Sequence, residues 1–578
     1  MTLVQGSSAQ RRAGEQPAAP ACSDPGDGTR GSSPALGRSA AVGPKSRSTG
    51  GRLRSRVWPL AMTVASVVGA MGWSLLAVVH GDGLAMWRVP GDIWGTLRGA
   101  HVVAWGDIGG VYRSGTGLVS FPGTAVLLVP VALVSSALGL TESFPYPLPH
   151  PTAWLVLGPY EVMLASVALF AVDALARRLE VPAGRRAWLS VAGAIALFPV
   201  DGLWGHPEDA VAVGLLLYAL LAGLDGRFVR AGWLAGAAVA VQPLVLLGLP
   251  VLAAVVGWRR LPGLVVRAAL PAAALVAVCL VGAEHATVHA LLDQPNFPRI
   301  DRVTPWTALA PRLGGRGRSL AVAAGPGRLV ALAGAVAVGA GLWWRRWATA
   351  VGARHRFRWA RSCRAAGLMG APGDVPGWGL MGVPGDDVGA SLMGVPGDDV
   401  GASPMGVPGD VPGAVLIAAP EPTSGTDTVG CPVAGPATGS AAGSTAGAEA
   451  GPAFAVGGPA VVWVLAVALS LRCLTESVMD PYYLWPPLGV GLLAAATASG
   501  RAGVKRFAVA AAAVGATTVV AELHLVWWVW WYGVTFGMLV TVACGFPGRV
   551  GRRHSSSVPW MPLAQQEREH CAPGSSRG

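Results

Sequence analysis

A short segment, Asp201-Gly-Leu-Trp-Gly-His-Pro-Glu-Asp209, carries four ionisable side chains where one apolar run ends and the next begins. The order His-x-Glu-Asp contains metal-ligand types. We expect no metal, because His206 and Glu208 are only two residues apart and no second histidine follows at helical spacing. Glu208 and Asp209 also suit the positive end of a helix dipole, so capping is the simpler interpretation. Capping does not exclude contact with a substrate.

The polar stretch 80–118 interleaves acids, arginines and aromatic rings, and it contains three candidates for a general base. Asp82 is flanked by glycines near the end of an apolar run, and Asp107 precedes two glycines that are typical of a turn. Asp92 follows Pro-Gly and precedes apolar residues at 93, 94 and 97. This pattern predicts that Asp92 is the N-cap of a short helix that lies along a membrane interface and is anchored in lipid. The alternatives are a cap without catalysis and a solvated interfacial loop.

Two further segments carry polar groups of interest. The segment 476–487 holds Tyr482 and Tyr483 beside acids and prolines, and an interfacial aromatic belt with a proline-broken helix start explains it equally well. The segment 294–312 holds Arg299 and Arg302, whose guanidinium groups suit an anionic headgroup or phosphate.

The composition excludes several classes of protein. Of 578 residues, 52% are hydrophobic and only 13% are charged, which is too few charges to cover a soluble globular enzyme and too many apolar residues for a wholly disordered chain. The net charge is +12, but the basic residues lie mainly in tails and short loops, as the positive-inside rule predicts, so we expect no nucleic-acid partner. The seven cysteines form no C-x-x-C pair, which argues against a disulfide framework or zinc site.

The apolar runs predict an all-α polytopic membrane helix bundle of about 10–13 membrane segments. Around this bundle we expect disordered cytoplasmic tails at 1–56 and 546–578, with the membrane core at 57–345 and 459–545. Arginine-rich loops place both termini in the cytoplasm and the loops 80–118, 204–208, 284–318 and 476–483 outside the cell membrane. The runs are 57–79, 119–140, 152–175, 187–203, 209–224, 231–257, 263–283, 319–344, 459–475, 484–498, 504–521 and 525–545.

Two features do not fit a simple alternation of crossings. The run 231–257 must return to the side where it began, and Gln242-Pro243 within it predicts a bent hairpin. The runs 119–140 and 152–175 together must make an odd number of crossings, so one of them is a candidate re-entrant segment.

A low-complexity cytoplasmic insert, 346–458, separates the two parts of the membrane core. It contains 12-residue repeats, of which 380–391 and 392–403 are both LMGVPGDDVGAS. Pro-Gly-Asp is turn chemistry, so we expect a flexible, disordered loop. Calcium binding by the paired aspartates of each repeat is the alternative.

Six short segments follow one another in a recognisable order: Asp92, Gly109-Gly-Val-Tyr112, Ser120-Phe-Pro122 with Val129-Pro130, Gly205-His-Pro-Glu-Asp209, Arg230-Ala-Gly232 and Gln242-Pro243. In this order they resemble the GT-C membrane glycosyltransferases, especially the polyprenol-phosphate-mannose-dependent α-mannosyltransferases of actinobacteria. Those enzymes have the catalytic aspartate in the first large outer loop. Here histidine takes the place of a usual glutamine at 206, and Gln242 takes the place of a usual lysine. The resemblance covers about 57–345 and 459–545.

The resemblance implies transfer of a hexose, mannose above all, from a polyprenyl phosphate sugar to a hydroxyl of a glycolipid or glycan acceptor at the outer membrane face, without a cofactor. Asp92 is then the general base. The substrate-binding residues that it implies are His206, Glu208, Asp209, Gln242, Arg299, Arg302, Tyr482 and Tyr483. The alternatives are a membrane transporter or flippase, which would have ionisable residues deep in the membrane, and an inactive scaffold of the same fold.

Overall fold

The structure is a computed structural model, and it describes residues 56–80, 91–113, 118, 120–141, 151–202, 204–292, 302–313, 321–322, 325–365, 457–523 and 525–547. The two tails and the 12-residue repeats lie outside these ranges, so their disorder stays a prediction.

Fourteen α-helices and four two-residue strands form the described part of the chain. The helices are α1 (Val57–His80), α2 (Gly91–Ala104), α3 (Pro122–Leu138), α4 (Trp154–Arg178), α5 (Ala183–Gly202), α6 (Pro207–Leu224), α7 (Phe228–Val241), α8 (Leu249–Val256), α9 (Leu261–Leu292), α10 (Gly327–Ala365), α11 (Gly458–Thr475), α12 (Trp485–Ala496), α13 (Gly500–Glu522) and α14 (Trp527–Cys544). The strands are β1 (Arg302–Val303), β2 (Arg312–Leu313), β3 (Ala321–Val322) and β4 (Val478–Met479).

Eight of the described helices are long and apolar enough to cross a membrane, namely α1, α4, α6, α9, α10, α11, α13 and α14. The chain is therefore an all-α, multi-pass membrane protein. The other four predicted runs form shorter or less apolar helices. For example, α5 carries Arg185 and Arg186 in its first turn, and α12 has only 12 residues.

The segment from the second turn of α3 to just beyond its end contacts the beginning of α4 at two places. Near the first end of α3, the hydroxyl of Tyr160 in α4 donates to the carbonyl of Leu127 at 2.9 Å. Just beyond the other end of α3, the backbone N–H of Thr141 donates to the hydroxyl of Thr152, immediately before α4 begins, at 2.8 Å. Of the two ambiguous runs, 152–175 forms α4, which is long and apolar enough to cross a membrane, and 119–140 forms the shorter α3, so we expect 119–140 to be the one that stays on one side.

The chain turns back at Gln242, which has an extended backbone (φ −150°, ψ 122°) and precedes a proline. The amide of Gln242 donates to Asp209 in the first turn of α6. Ten residues later, Leu252 lies within 3.3 Å of the place where a Cβ on Gly223 would lie, near the last turn of α6. The two legs of this segment therefore run in opposite directions along α6, and the predicted bent hairpin is confirmed.

Two small antiparallel ladders fasten the segment between α9 and α10. Strand β1 pairs with β4, with Arg302 opposite Met479, and β2 pairs with β3. The hydroxyl of Thr304 caps a short 3₁₀ helix by accepting from the N–H of Trp306, and it donates to the carbonyl of Glu476 at 2.7 Å. These contacts attach the segment between α11 and α12 to the rest of the bundle. This segment carries several ionisable side chains.

Helix α10 continues to Ala365, into the first part of the segment that the sequence assigns to the insert. No proline interrupts this stretch before Pro372, and its alanines and arginines favour helix.

Candidate functional site

The first turn of α6 holds two buried acids that pair with side chains rather than cap the helix. Pro207 is the first residue of the helix, and Gly205 before it has a positive φ of 65° that suits glycine. Glu208 and Asp209 are almost completely buried, and His206, just before the helix, makes no side-chain cap hydrogen bond. The Nδ1 atom of His206 lies 2.8 Å from Oε1 of Glu208. The first turn therefore points its acids into the protein.

Gln242 reaches the same place from the turn of the α7–α8 hairpin. Its Nε2 donates to Oδ1 of Asp209 at 2.7 Å. The other carboxylate oxygen, Oδ2, is buried and has no hydrogen-bond partner among the described residues. A buried carboxylate oxygen without a partner costs free energy, so this oxygen is available to a ligand.

Two tyrosines that follow β4, Tyr482 and Tyr483, add aromatic rings to this site. The ring of Tyr482 stacks on the ring of His206 with centroids 3.8 Å apart and planes 21° apart. The hydroxyl of Tyr482 lies 3.2 Å from Oδ2 of Asp480. The two tyrosine rings contact each other edge-on at 4.5 Å. The structure thus brings together His206, Glu208, Asp209, Gln242, Tyr482 and Tyr483, and we call this set the polar cluster.

A cation, Arg472, adjoins the polar cluster and was not among the predicted site residues. Its guanidinium lies 3.6 Å from the centroid of the Tyr483 ring and 3.6 Å from Oε2 of Glu476, one helical turn on. Oε1 of the same carboxylate pairs with Arg328 at 2.9 Å. Burial raises the pKa of the Tyr483 hydroxyl above its usual value although Arg472 opposes the shift, so the hydroxyl stays protonated. An arginine inside the apolar run 459–475 is the signal that indicates such a site.

Two more acids lie next to the polar cluster and were not among the predicted site residues. Glu161, in the second turn of α4, is fully buried, and Asp201, near the end of α5, is 1% exposed. Neither carboxylate has a hydrogen-bond partner among the described residues. An acid within the apolar run 152–175 is again the signal that finds Glu161.

Asp92 is the second residue of helix α2, two positions after the N-cap position where the sequence predicts it, and its side chain lies outside what the structure describes. Ile93, Trp94 and Leu97 are buried against α1, α3 and α4. The predicted anchoring of these residues in lipid is therefore wrong, because they pack inside the protein. Of the two competing acids, Asp82 lies outside the described residues. Asp107 precedes a short 3₁₀ turn and forms a largely exposed ion pair with Arg113 at 2.7 Å.

The two arginines predicted to meet a phosphate are not part of the cluster as described. Arg299 lies outside the described residues. Arg302 extends its guanidinium over the ring of Trp530, 5.5 Å from the centroid, and donates to the carbonyl of Leu523 at 3.3 Å. Arg302 therefore links the β1–β4 ladder to α14 and to the end of α13.

A narrow cleft opens beside the cluster between α5, α12 and α13. Trp204, Tyr482, Trp485 and Glu522 are among its lining residues, and the Nε1 atom of Trp204 donates to Glu522 at 3.2 Å. Tyr482 therefore both stacks on His206 and lines this cleft. Within the described ranges, no group of three or more His, Cys, Asp or Glu side chains is arranged to hold a metal ion.

Comparison of the chain with known protein families, with curated proteins and with solved structures finds no match.

Proposed function

We propose that this protein transfers a hexose, mannose above all, from a polyprenyl phosphate sugar to a hydroxyl of a glycolipid or glycan acceptor at the outer face of the cell membrane. The observation that carries the proposal is the polar cluster. There, a carboxylate–amide pair (Asp209 with Gln242), a buried cation (Arg472) and two stacked rings (His206 with Tyr482) converge from four separate parts of the chain.

This set of groups suits a sugar. Carboxylates accept hydrogen bonds from sugar hydroxyls and amides both accept and donate, while aromatic rings offer flat apolar faces to the C–H face of a pyranose. Glycosyl transfer also passes through a transition state with oxocarbenium character, whose positive charge neighbouring carboxylates stabilise. The cleft lined by Trp204 and Trp485 adjoins these groups, but its volume of about 20 Å³ is that of a single water site, so a lipid-linked donor would have to widen it.

In the proposed reaction, Asp92 removes the proton of the acceptor hydroxyl. The hydroxyl oxygen then bonds to the anomeric carbon, the bond between that carbon and the phosphate oxygen breaks, and polyprenyl phosphate leaves. A positioned base contributes about 10²–10⁴-fold to such a step. Arg472 supplies positive charge near the position where the resembled family has a lysine, and we assign it to the departing phosphate. Both termini of the chain are cytoplasmic in this proposal.

The test is transfer by the purified full-length protein from radiolabelled polyprenyl phosphate mannose to membrane glycolipid. We expect Asp209→Asn to lower the initial rate by on the order of 10- to 100-fold, because the substitution removes a charge that the transition state needs. Asp225→Asn is the matched control, since Asp225 pairs with the exposed Arg178 next to the arginine-rich α6–α7 loop. If the wild-type protein transfers no sugar from mannose, glucose or arabinose donors, the proposal is refuted and an inactive scaffold is favoured.

A second candidate function is cation-coupled transport or lipid flipping. The observation that favours it is the pair Glu161 and Asp201, which are buried acids without hydrogen-bond partners among the described residues. Such groups mark proton or cation pathways in membrane proteins. Proteoliposomes that hold the protein and a pH-sensitive dye test this function. Proton uptake that disappears in Glu161→Gln and persists in Asp225→Asn supports transport.

A further inference from the structure

A cavity lined by arginines lies beyond the last turn of α6, at the opposite end of that helix from the polar cluster, where α7 and α9 begin. Its volume is about 1000 Å³. Five arginines line it: one from the loop between α6 and α7, one from the first turn of α7, two from the connection between α8 and α9, and one from α9. They are Arg227, Arg230, Arg259, Arg260 and Arg267.

The charge of this cavity is unbalanced. Among the described residues, no acidic side chain lines it. The nearest acid in sequence, Asp225, is paired with Arg178 at 2.8 Å. Five like charges around one opening repel one another, so an anion there relieves the repulsion and gains charge-assisted hydrogen bonds.

Packing holds part of this arginine set in place. Arg267 is half-buried between α7 and α9, and its Nη1 donates to the carbonyl of Gly263 at 2.7 Å. A Cβ on Gly232 of α7 would lie 2.8 Å from Cβ of Arg267, so only glycine lets the two helices meet there. The guanidinium of Arg260 lies 4.1 Å from the centroid of the Phe228 ring. Arg227, Arg230 and Arg259 are exposed around these two.

The remaining walls are apolar. They include Phe228, Val229, Trp233, Leu234 and Leu264, and Val229 and Trp233 are about half exposed (56% and 45%). Exposed tryptophans at the ends of membrane helices are typical of the boundary between headgroups and acyl chains. A cavity of this size is also larger than a bare phosphate requires. The lining thus matches a ligand with an anionic head and an apolar body.

We propose that this arginine cavity binds the phosphodiester headgroup of an anionic phospholipid, with the first part of the acyl chains against Trp233 and Leu264. The site is independent of the proposed hexosyl transfer, and it is separate from the polar cluster. Guanidinium groups near an anionic lipid surface contribute about fivefold in affinity each, so the effect of several of them is measurable.

The test measures bound lipid by native mass spectrometry of the full-length protein in detergent, with equal amounts of phosphatidylglycerol and phosphatidylcholine of the same acyl chains. We expect the wild-type protein to retain phosphatidylglycerol at least about 100-fold better, because each of the three exposed arginines contributes about fivefold. The triple variant Arg227→Gln, Arg230→Gln, Arg259→Gln should lose about 100-fold of this preference. Arg260 and Arg267 stay in place because they also make packing contacts.

The matched control is the triple variant Arg345→Gln, Arg501→Gln, Lys505→Gln, which removes three exposed basic residues outside the cavity. It should keep the preference of the wild-type protein. Equal retention of the two lipids by the wild-type protein, or equal loss in both triple variants, overturns the proposal. If the cavity variant does not elute as a folded protein, the exposed single variants Arg230→Gln and Arg259→Gln replace it, and each should lose about fivefold.

A separate arm distinguishes a lipid from a soluble anion. Glycerol 3-phosphate at millimolar concentration should leave the bound phosphatidylglycerol in place, because it lacks the acyl chains. Complete displacement would show that the cavity selects a free phosphate and would overturn the assignment to a lipid.

Discussion

The two ends of the helix bundle hold their charges in opposite ways. At one end, six carboxylates are at least nine-tenths buried and the cation Arg472 is largely buried with them; these acids are Glu161, Asp201, Glu208, Asp209, Glu476 and Asp480. At the other end, four of the five arginines of the cavity are exposed and no acid lines the opening, among the residues that the structure describes.

The difference predicts how each end responds to substitution. A buried charge depends on particular partners at particular distances, so the loss of one group leaves another charge or dipole unsatisfied. An exposed charge acts through the summed field, which salt screens and neighbours share. We therefore expect single substitutions to have large effects at the acidic end and small, additive effects at the arginine end.

The largest expected effect is all-or-none and concerns the sides of the membrane. In a variant without native cysteines, Trp105→Cys tests the acidic end, since Trp105 is 82% exposed beyond α2. Arg227→Cys tests the arginine end. A membrane-impermeant maleimide applied to whole cells should label position 105 at once and position 227 only after permeabilisation. Labelling of both positions from the same side would show that the acidic end and the arginine end do not lie on opposite sides of the membrane. His206 is a poor reporter, because it is only 7% exposed.

The next effect is on catalysis. Asp92→Asn should lower hexosyl transfer by about 10²–10⁴-fold at unchanged membrane abundance, because asparagine serves a helix start as well as aspartate but cannot take up the acceptor's proton. Initial rates with labelled donor measure the effect. Asp107→Asn is the control, because it breaks only a largely exposed ion pair. Wild-type turnover in Asp92→Asn, with loss in Asp82→Asn or Asp107→Asn, would assign the base to another residue of the loop.

A third effect compares two arginines in different surroundings. Arg472→Gln should destabilise the protein by about 3–5 kcal/mol, because Glu476 loses a partner and Tyr483 loses a cation in a buried place. Arg302→Gln should cost about 1 kcal/mol or less, because its partly exposed guanidinium lies over the Trp530 ring and donates to one backbone carbonyl. Thermal unfolding in mild detergent measures both. Equal decreases in the unfolding temperature of the two variants would mean that the burial of Arg472 does not increase its contribution to stability.

The sequence predicts the helical bundle well, because runs of apolar residues in a membrane protein have few alternatives to a helix. It also predicts the turn at Gln242, where a proline prevents continuation of the helix. It does not predict the partners of Asp209 and Glu476. Those partners depend on which faces of distant helices meet. Apolar helices with alanine and glycine at many positions can pack through several faces, so the sequence does not determine which faces meet.

Particular errors have particular causes. Ile93, Trp94 and Leu97 look like a lipid anchor in sequence, yet α1, α3 and α4 cover them, because helices distant in sequence pack over α2. Arg472, Glu161 and Asp201 carry the signal of an ionisable group in or at the edge of an apolar run. That signal identifies a site, but it does not say which residues face it.

A smaller effect tests the amide at the hairpin turn. Gln242→Leu removes the donor to Asp209 and should cost about 1–3 kcal/mol in stability, because the carboxylate stays buried without its partner. Gln242→Lys should restore the wild-type midpoint to within about 1 kcal/mol, since an ammonium group can pair with the same carboxylate. Unfolding midpoints of the two variants and of wild type give the comparison. If leucine is as stable as lysine here, Asp209 has another partner.

The smallest expected effect comes from the insert, whose repeats lie outside the described residues. The 36 residues 368–403 contain three repeat copies with turn residues and no apolar periodicity, so they can bury little surface and should contribute nothing to packing. Deletion of 368–403 should leave membrane abundance, unfolding midpoint and transfer rate unchanged. A variant with the same stretch replaced by glycine and serine separates length from sequence. If the deletion lowers any of these three quantities and the replacement does not, the chain needs only the length of the segment between α10 and α11. If both variants lower them, the repeats bind a ligand. The Asp386–Asp387 and Asp398–Asp399 pairs are then the first residues to substitute, because adjacent carboxylates in turns are suited to calcium.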